Sequence, residues 1–328
     1  MAKIATTLKP GLVDKFGVKM PEGWEISYID YPCDDEALAK ACEDADFLWI
    51  GPVDPMSAEL MDKLDNVKLI QSLGVGFDKI NLDRSKEKGI FVCNNRAVNA
   101  ISVAEHALGL ILSGIRRVSE SDAKIKSSSS RYMESFNDYR VHGQKELGGM
   151  TVGLVGLGAI GKELTRLMKP FGCKMMYYDI FRNEAAEKEY DIEFTDLDRI
   201  FKECDVISLH VPVTEETKGL INDESIGKMK QDALIINVAR GEIVDNEALK
   251  KGLEEGKVFA GLDVIAPEPP SEDHPLLNLS DKGKARLTIT PHIAGTTDDA
   301  FIRMQKWSYE NMEKVHKGEK PNNIVNGL

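Results

Sequence analysis

Two doubly wound parallel α/β domains are the fold class that this sequence predicts. Three observations carry it. Apolar, strand-like runs alternate with polar, helix-like stretches over the whole length, the pattern of a parallel sheet with helical crossovers. The series then restarts: after runs at 3–8, 47–50, 68–73 and 90–93, a second set opens at Thr151. Length sets the number, since 328 residues suit two domains at about 150 residues each.

Each element follows in order. The first runs are spaced by helical segments such as 35–43 and 58–64. An apolar helix over 103–117 comes next, and the serine-rich tract 126–130 reads as an exposed loop after it. The second series comprises strands at 151–156, 174–179, 206–211, 233–238, 259–264 and 287–290, and a long helix over 298–317 follows.

Composition removes several classes of function. Lys and Arg total 42 against 54 Asp and Glu, a net charge of −12, which repels phosphate backbones, so no nucleic-acid partner is expected. The strongest apolar run, from Ala107 to Leu112, is far short of the ~20 residues that cross a bilayer. No membrane association is expected. Lys9 and Pro10 interrupt the N-terminal segment at once, unlike a signal peptide. Cys33, Cys42, Cys93, Cys173 and Cys204 form no CxxC pair, which suits reduced thiols in the cytoplasm. His142, His274 and His316 lack metal-ligand spacing, so no metal is expected.

Gly156-Leu-Gly158-Ala159-Ile160-Gly161 is a GxGxxG. Such a motif is weak alone, but here a buried-strand run precedes it and a helix ending at Pro170 follows. Gly156 permits the tight turn, Gly158 lets a pyrophosphate approach the backbone, and Gly161 lets helix and strand pack closely. N–H groups around Ala159 and Ile160 face the anion. Asp179 closes the next strand at about the 20-residue spacing of a ribose-binding acid. A carboxylate there accepts from a 2′-hydroxyl and repels a 2′-phosphate, so NAD (NADH) is expected in preference to NADP. Arg182, three residues on, could weaken that discrimination.

Three further strand ends carry charge: Arg240 after 233–238, Glu268 after 259–264, and His292 after 287–290. Open α/β sheets bind ligands at those ends. Arg suits a two-point grip on a carboxylate, His can give a proton to a carbonyl oxygen, and Glu beside it favours the charged ring. Hydride transfer to a 2-oxo acid fits all three. Each has a plainer alternative: a surface ion pair for Arg240, a core histidine for His292, a strand terminator for Glu268. His210 and His106 read first as structural residues.

In these stretches, and in 72–78, 102–106, 208–217, 237–245, 261–269 and 290–295, the sequence resembles the D-isomer-specific 2-hydroxyacid dehydrogenase family over nearly its whole length. The resemblance implies Arg240, Glu268 and His292 as catalytic residues. It implies nicotinamide contacts at Val238, Ala239 and Asp263, adenine-side contacts at Val211, Pro212 and Thr217, a further cofactor contact at Gly295, and substrate-carboxylate binding by Val75 and Gly76. It also implies a Rossmann NAD-binding domain (101–296) inserted in a flavodoxin-like substrate-binding domain (1–100 plus 297–328). A homodimer through the helix at 103–112 is expected, because that helix is apolar on more than one face.

The expected partner is a small 2-oxo or 2-hydroxy acid. Family members with phosphorylated substrates tend to carry Arg at the end of the strand matching 47–50, where this chain has Gly51-Pro52. An unphosphorylated acid is therefore favoured, unless Arg96 substitutes; glyoxylate, hydroxypyruvate and branched or aromatic 2-oxo acids all fit. The chain also ends soon after its last helix, so the added regulatory domain of some phosphoglycerate enzymes is not expected. Two alternatives stay open: a 3-phosphoglycerate dehydrogenase, and an NAD-sensing, corepressor-like binding protein of the same fold.

Overall fold

A computed structural model describes residues 2–128, 130–142 and 144–328. It divides into two compact units: unit 1, up to Asn99 together with Thr296–Leu328, and unit 2, Ala100–Gly295.

Unit 1 holds five strands, β1 (Lys3–Thr6), β2 (Glu25–Tyr28), β3 (Phe47–Ile50), β4 (Leu69–Ser72) and β5 (Phe91–Cys93). They lie parallel in the order β2-β1-β3-β4-β5, the flavodoxin-like order. β3 and β4 are buried at every position, which is why they read as unbroken apolar runs. β2 was not legible in that way. It is an edge strand paired only to β1, and three of its four residues are exposed. The helix Asp298–His316 packs within unit 1, where Tyr309 lies 5.3 Å from Trp49, ring to ring.

Unit 2 holds seven strands: β6 (Thr151–Val155), β7 (Lys174–Tyr178), β8 (Glu193–Phe194), β9 (Val206–Leu209), β10 (Ala233–Asn237), β11 (Val258–Leu262) and β12 (Leu287–Ile289). All are parallel, in the order β12-β11-β10-β9-β6-β7-β8. The chain winds outward from β6 in one direction and then resumes at β9 in the other. A crevice for a ligand opens at such a reversal. Alternate residues of β10 feed the two cores: Ala233 and Ile235 face one, Leu234 and Ile236 the other.

The expected loop at 126–130 needs correcting. A helix, Val118–Ser127, runs through its first residues, and a second, Arg131–His142, begins just beyond; Ser129 lies outside the described residues. The first of these helices buries no residue, so it has no apolar stripe for sequence periodicity to reveal. Ion pairs from Arg117 and Lys124 to Glu120, each 2.6 Å, support it instead.

Candidate active site and dinucleotide cradle

The glycine motif follows β6 directly. Gly156 takes φ +98°, and a Cβ on it would stand 2.8 Å from the His210 carbonyl oxygen. A Cβ on Gly161 would stand 2.4 Å from the Gly156 carbonyl oxygen, so the helix Ala159–Met168 can sit this close to the strand only with glycine there. Gly158, the N-cap, is exposed, and beyond its chain neighbours and own helix no described atom lies within 4 Å of its would-be Cβ. The N–H groups of Ala159 and Ile160 have no intrahelical acceptor by position. A pyrophosphate fits this open, glycine-lined helix start.

Asp179 follows β7 and is half-buried. Its Oδ2 accepts from the Leu157 N–H at 2.7 Å and its Oδ1 from the Phe181 N–H at 3.2 Å. The carboxylate is thus braced against the glycine loop and keeps lone pairs for a ribose hydroxyl. Arg182, the residue that threatened the NAD preference, turns away to pair with Glu187.

Beyond β9 stand Val211, Pro212 and Thr217. The Thr217 hydroxyl donates to the Pro212 carbonyl at 2.6 Å, folding this segment into a compact turn. His210 bonds Ser208 Oγ through Nε2 at 2.8 Å, while its Nδ1 is buried without a partner among the described residues. Burial pushes its imidazole down to about 4, so the ring is neutral. An unpartnered buried nitrogen beside the cradle is a further candidate cofactor contact. Its place after a buried strand reads first as structural, so the signal for it in sequence is ambiguous.

The three charged residues come from three neighbouring strands, β10, β11 and β12. Asn237, the last residue of β10, ties the following turn, accepting from the Ala239 N–H at 3.0 Å and donating to the Arg240 carbonyl at 2.8 Å. Val238 is buried and Ala239 half-buried. Arg240 is exposed; its Nη1 donates to the Ala239 carbonyl, and it pairs with no carboxylate among the described residues. Glu268 stands 2.7 Å from His292, Oε1 to Nδ1. This bond assigns the Nδ1 proton towards the carboxylate and leaves Nε2 open for proton exchange. His274 braces the same loop: its Nε2 lies 3.0 Å from the Ala266 carbonyl, and its Nδ1 accepts from the Leu276 N–H.

His292 itself takes φ +53°, an uncommon conformation for a residue with a Cβ. Asp263, 1 % exposed, explains how it is held. Its carbonyl accepts from the His292 N–H at 2.8 Å, and its carboxylate accepts from the Ile293 and Ala294 N–H groups at 2.9 and 2.8 Å and from the Thr290 hydroxyl at 2.5 Å. His106 Nε2 reaches Thr290 Oγ1 at 2.9 Å. So Asp263 anchors the histidine loop, a role its sequence position did not disclose. Gly295 closes unit 2 just past that loop.

Within unit 1, the loop after β4 carries Val75 and Gly76. Asn94 Nδ2 donates to the Val75 carbonyl at 2.6 Å, and Ser72 Oγ to that of Gly76 at 2.8 Å. Their own N–H groups have no acceptor among the described residues, which leaves them for an anion. At the end of β3, Asp54 accepts from the Gly51 N–H at 2.8 Å and the Thr7 hydroxyl at 2.6 Å. Arg96 lines a separate surface cavity of about 370 Å³ with Trp307 and Glu310. Among the described residues, no group of three or more His, Cys, Asp or Glu could hold a metal ion.

Comparison with known proteins decides the family. The model of the D-isomer specific 2-hydroxyacid dehydrogenase NAD binding domain matches residues 108–294. The chain belongs to the D-isomer-specific 2-hydroxyacid dehydrogenase family. A glyoxylate reductase of Thermofilum pendens is 40% identical over 299 residues, covering 90% of this chain and 86% of that one. A hydroxypyruvate reductase of Thermotoga maritima is 38% identical, covering 89% and 91%. A D-3-phosphoglycerate dehydrogenase of Methanocaldococcus jannaschii is 35% identical, but the match spans 53% of its length. Among solved structures, the NAD-complexed D-isomer specific 2-hydroxyacid dehydrogenase of Lactobacillus delbrueckii ssp. bulgaricus superposes with a TM-score of 0.81 at 28% identity, covering 99% of this chain and 100% of that one. This dehydrogenase is therefore an NAD-dependent enzyme.

Proposed function

We propose that this dehydrogenase interconverts a small, unphosphorylated 2-oxo acid and its D-2-hydroxy acid. One observation carries the reading: a His–Glu pair at 2.7 Å with an open Nε2, beside an Arg240 on the neighbouring strand end that pairs with no carboxylate among the described residues. The glycine cradle and Asp179 would hold NAD, which would supply or accept the hydride. Arg240 grips the substrate carboxylate and polarises the carbonyl with its planar fork. His292 Nε2 gives the proton to the carbonyl oxygen in reduction and takes it back in oxidation, with Glu268 holding the ring's tautomer and orientation. Val238, Ala239, Asp263 and Gly295 on the nicotinamide side, Val211, Pro212 and Thr217 on the adenine side, and the Val75 and Gly76 N–H groups for substrate complete the proposal by resemblance.

Asp54 supports the unphosphorylated substrate. It sets a carboxylate, not an arginine, at the end of β3, and a second anion there would meet like charge. The glyoxylate and hydroxypyruvate reductases among the relatives support the same class. The free cysteines accord with a cytoplasmic setting. The test is a panel of 2-oxo acids with NADH, followed by loss of absorbance. Glyoxylate or hydroxypyruvate should turn over best, and a preference for 3-phosphohydroxypyruvate would overturn the reading.

A further inference from the structure

An arginine close to the ribose acid is the group that accommodates the 2′-phosphate in NADP-binding members of this fold type. This chain has one, Arg182, and the structure shows where its charge goes. Arg182 Nε donates to Glu187 Oε1 at 2.9 Å and Nη2 to Oε2 at 2.8 Å, a two-point pair. The guanidinium also lies over the Phe194 ring, 5.7 Å from its centroid. Glu187 is itself fixed. It sits on the helix Glu184–Tyr190, its side chain is 17% exposed, and Oε1 accepts from the hydroxyl of the buried Tyr177 at 2.9 Å. The Asn183 N–H in turn donates to that hydroxyl at 2.7 Å. The turn between Asp179 and the helix is thereby tied to the same carboxylate that holds Arg182.

We propose that Glu187 is a specificity-determining positioning residue, holding Arg182 folded against Phe194 so that its guanidinium is withheld from a 2′-phosphate. The proposal rests on the NAD reading and deepens it. Asp179 discriminates by repulsion, Glu187 by removing the attractive partner; specificity is commonly built from both kinds of element. The two-point geometry matters, since a bidentate pair fixes the orientation of the fork as well as its position. The hydrogen bonds from Arg182 and Tyr177 also hold the Glu187 carboxyl below its usual range, so the latch stays charged across the working pH.

Glu187→Gln keeps size and an acceptor for Tyr177 but removes the charge. Calorimetric titration should show affinity for 2′-phosphorylated ADP rising about 3- to 10-fold, with plain ADP unchanged. The kcat/KM ratio of NADPH over NADH should rise in step. Adding Arg182→Ala in the Glu187→Gln background should cancel the gain, because the freed guanidinium is its source. Glu187→Asp, which draws the carboxylate back by one methylene, should move the same way by less and serves if the Gln variant folds poorly. Unaltered discrimination in both folded variants would overturn the proposal, as would a gain that survives loss of Arg182. Failure of the wild type to bind ADP or NADH at all would instead overturn the NAD reading, so the two failures are distinct.

Discussion

Arg240 carries a charge that no carboxylate among the described residues of its unit neutralises, and in the proposed chemistry substrate supplies the missing partner. Arg240→Ala should raise KM and lower kcat together, and Arg240→Lys should rescue only part, since a point charge lacks the planar fork. His292 acts as the proton moves, so His292→Ala should lower kcat by roughly 10²–10⁴-fold with KM less affected. Steady-state kinetics on the best 2-oxo acid checks both. Arg240, Glu268 and His292 were legible because each follows an apolar run that had to be a strand. Asp263 was seen only as a cofactor contact, because what it anchors lies on a different strand end. His210 offers a test on stability. Folded, it is pushed down to about 4 by burial; its ordinary value is 6.5. Between those values the unfolded chain binds the extra proton, so stability is full above about 6.5, falls as pH drops towards 4, and has lost on the order of 3 kcal/mol below that. His210→Gln should flatten this part of the pH profile of the urea midpoint. An identical acid slope in both proteins would mean that His210 is not the group responsible.

At the scale of elements, the decisive unit is β6, the glycine turn and the helix Ala159–Met168. Its geometry depends on a contact that only a missing Cβ allows, the 2.4 Å approach at Gly161. Gly161→Ala must push the helix off the strand, so it should cost about 1–3 kcal/mol of stability and weaken ADP binding more than substrate binding. Thermal melting and calorimetry with ADP read the two effects separately; unchanged values for both would show that the turn relaxes freely. Sequence made this unit legible because turn chemistry, strand and helix all agreed across a short window. The same holds for strands buried on both faces, such as β3, β9 and β10. It fails for β2 and β8, edge strands that need not be apolar, and for the helix Val118–Ser127, which ion pairs rather than burial sustain. Burial writes itself into sequence as pattern, whereas surface charge pairing leaves no comparable period.

At the scale of the whole molecule, unit 2 presents apolar surface that its own core does not cover. On the helix Ala100–Ile115 the core takes Val103, Ala104, Ala107, Leu110 and Ile111, while Ile101 stays exposed and Leu108, Leu112 and Ile115 half-buried. Next to it lies an open cavity of about 640 Å³ lined by Gly109, Leu112, Ser113, Arg116, Val118 and Ser121. Val118, Tyr132, Met133, Phe136 and Val141 extend the exposed apolar set along the two helices that follow. Exposed apolar residues on three successive helices point to an interaction surface, and a second copy of the chain is the proposed occupant, through a two-fold interface in which this surface meets itself. Sedimentation at micromolar concentration should then show a species of twice 36.4 kDa. Leu112→Arg together with Val118→Glu places charge on the patch without touching the glycine cradle, so it should shift the protein towards monomer while ADP binding persists. A wild type that sediments only at 36.4 kDa would leave this surface without its proposed partner.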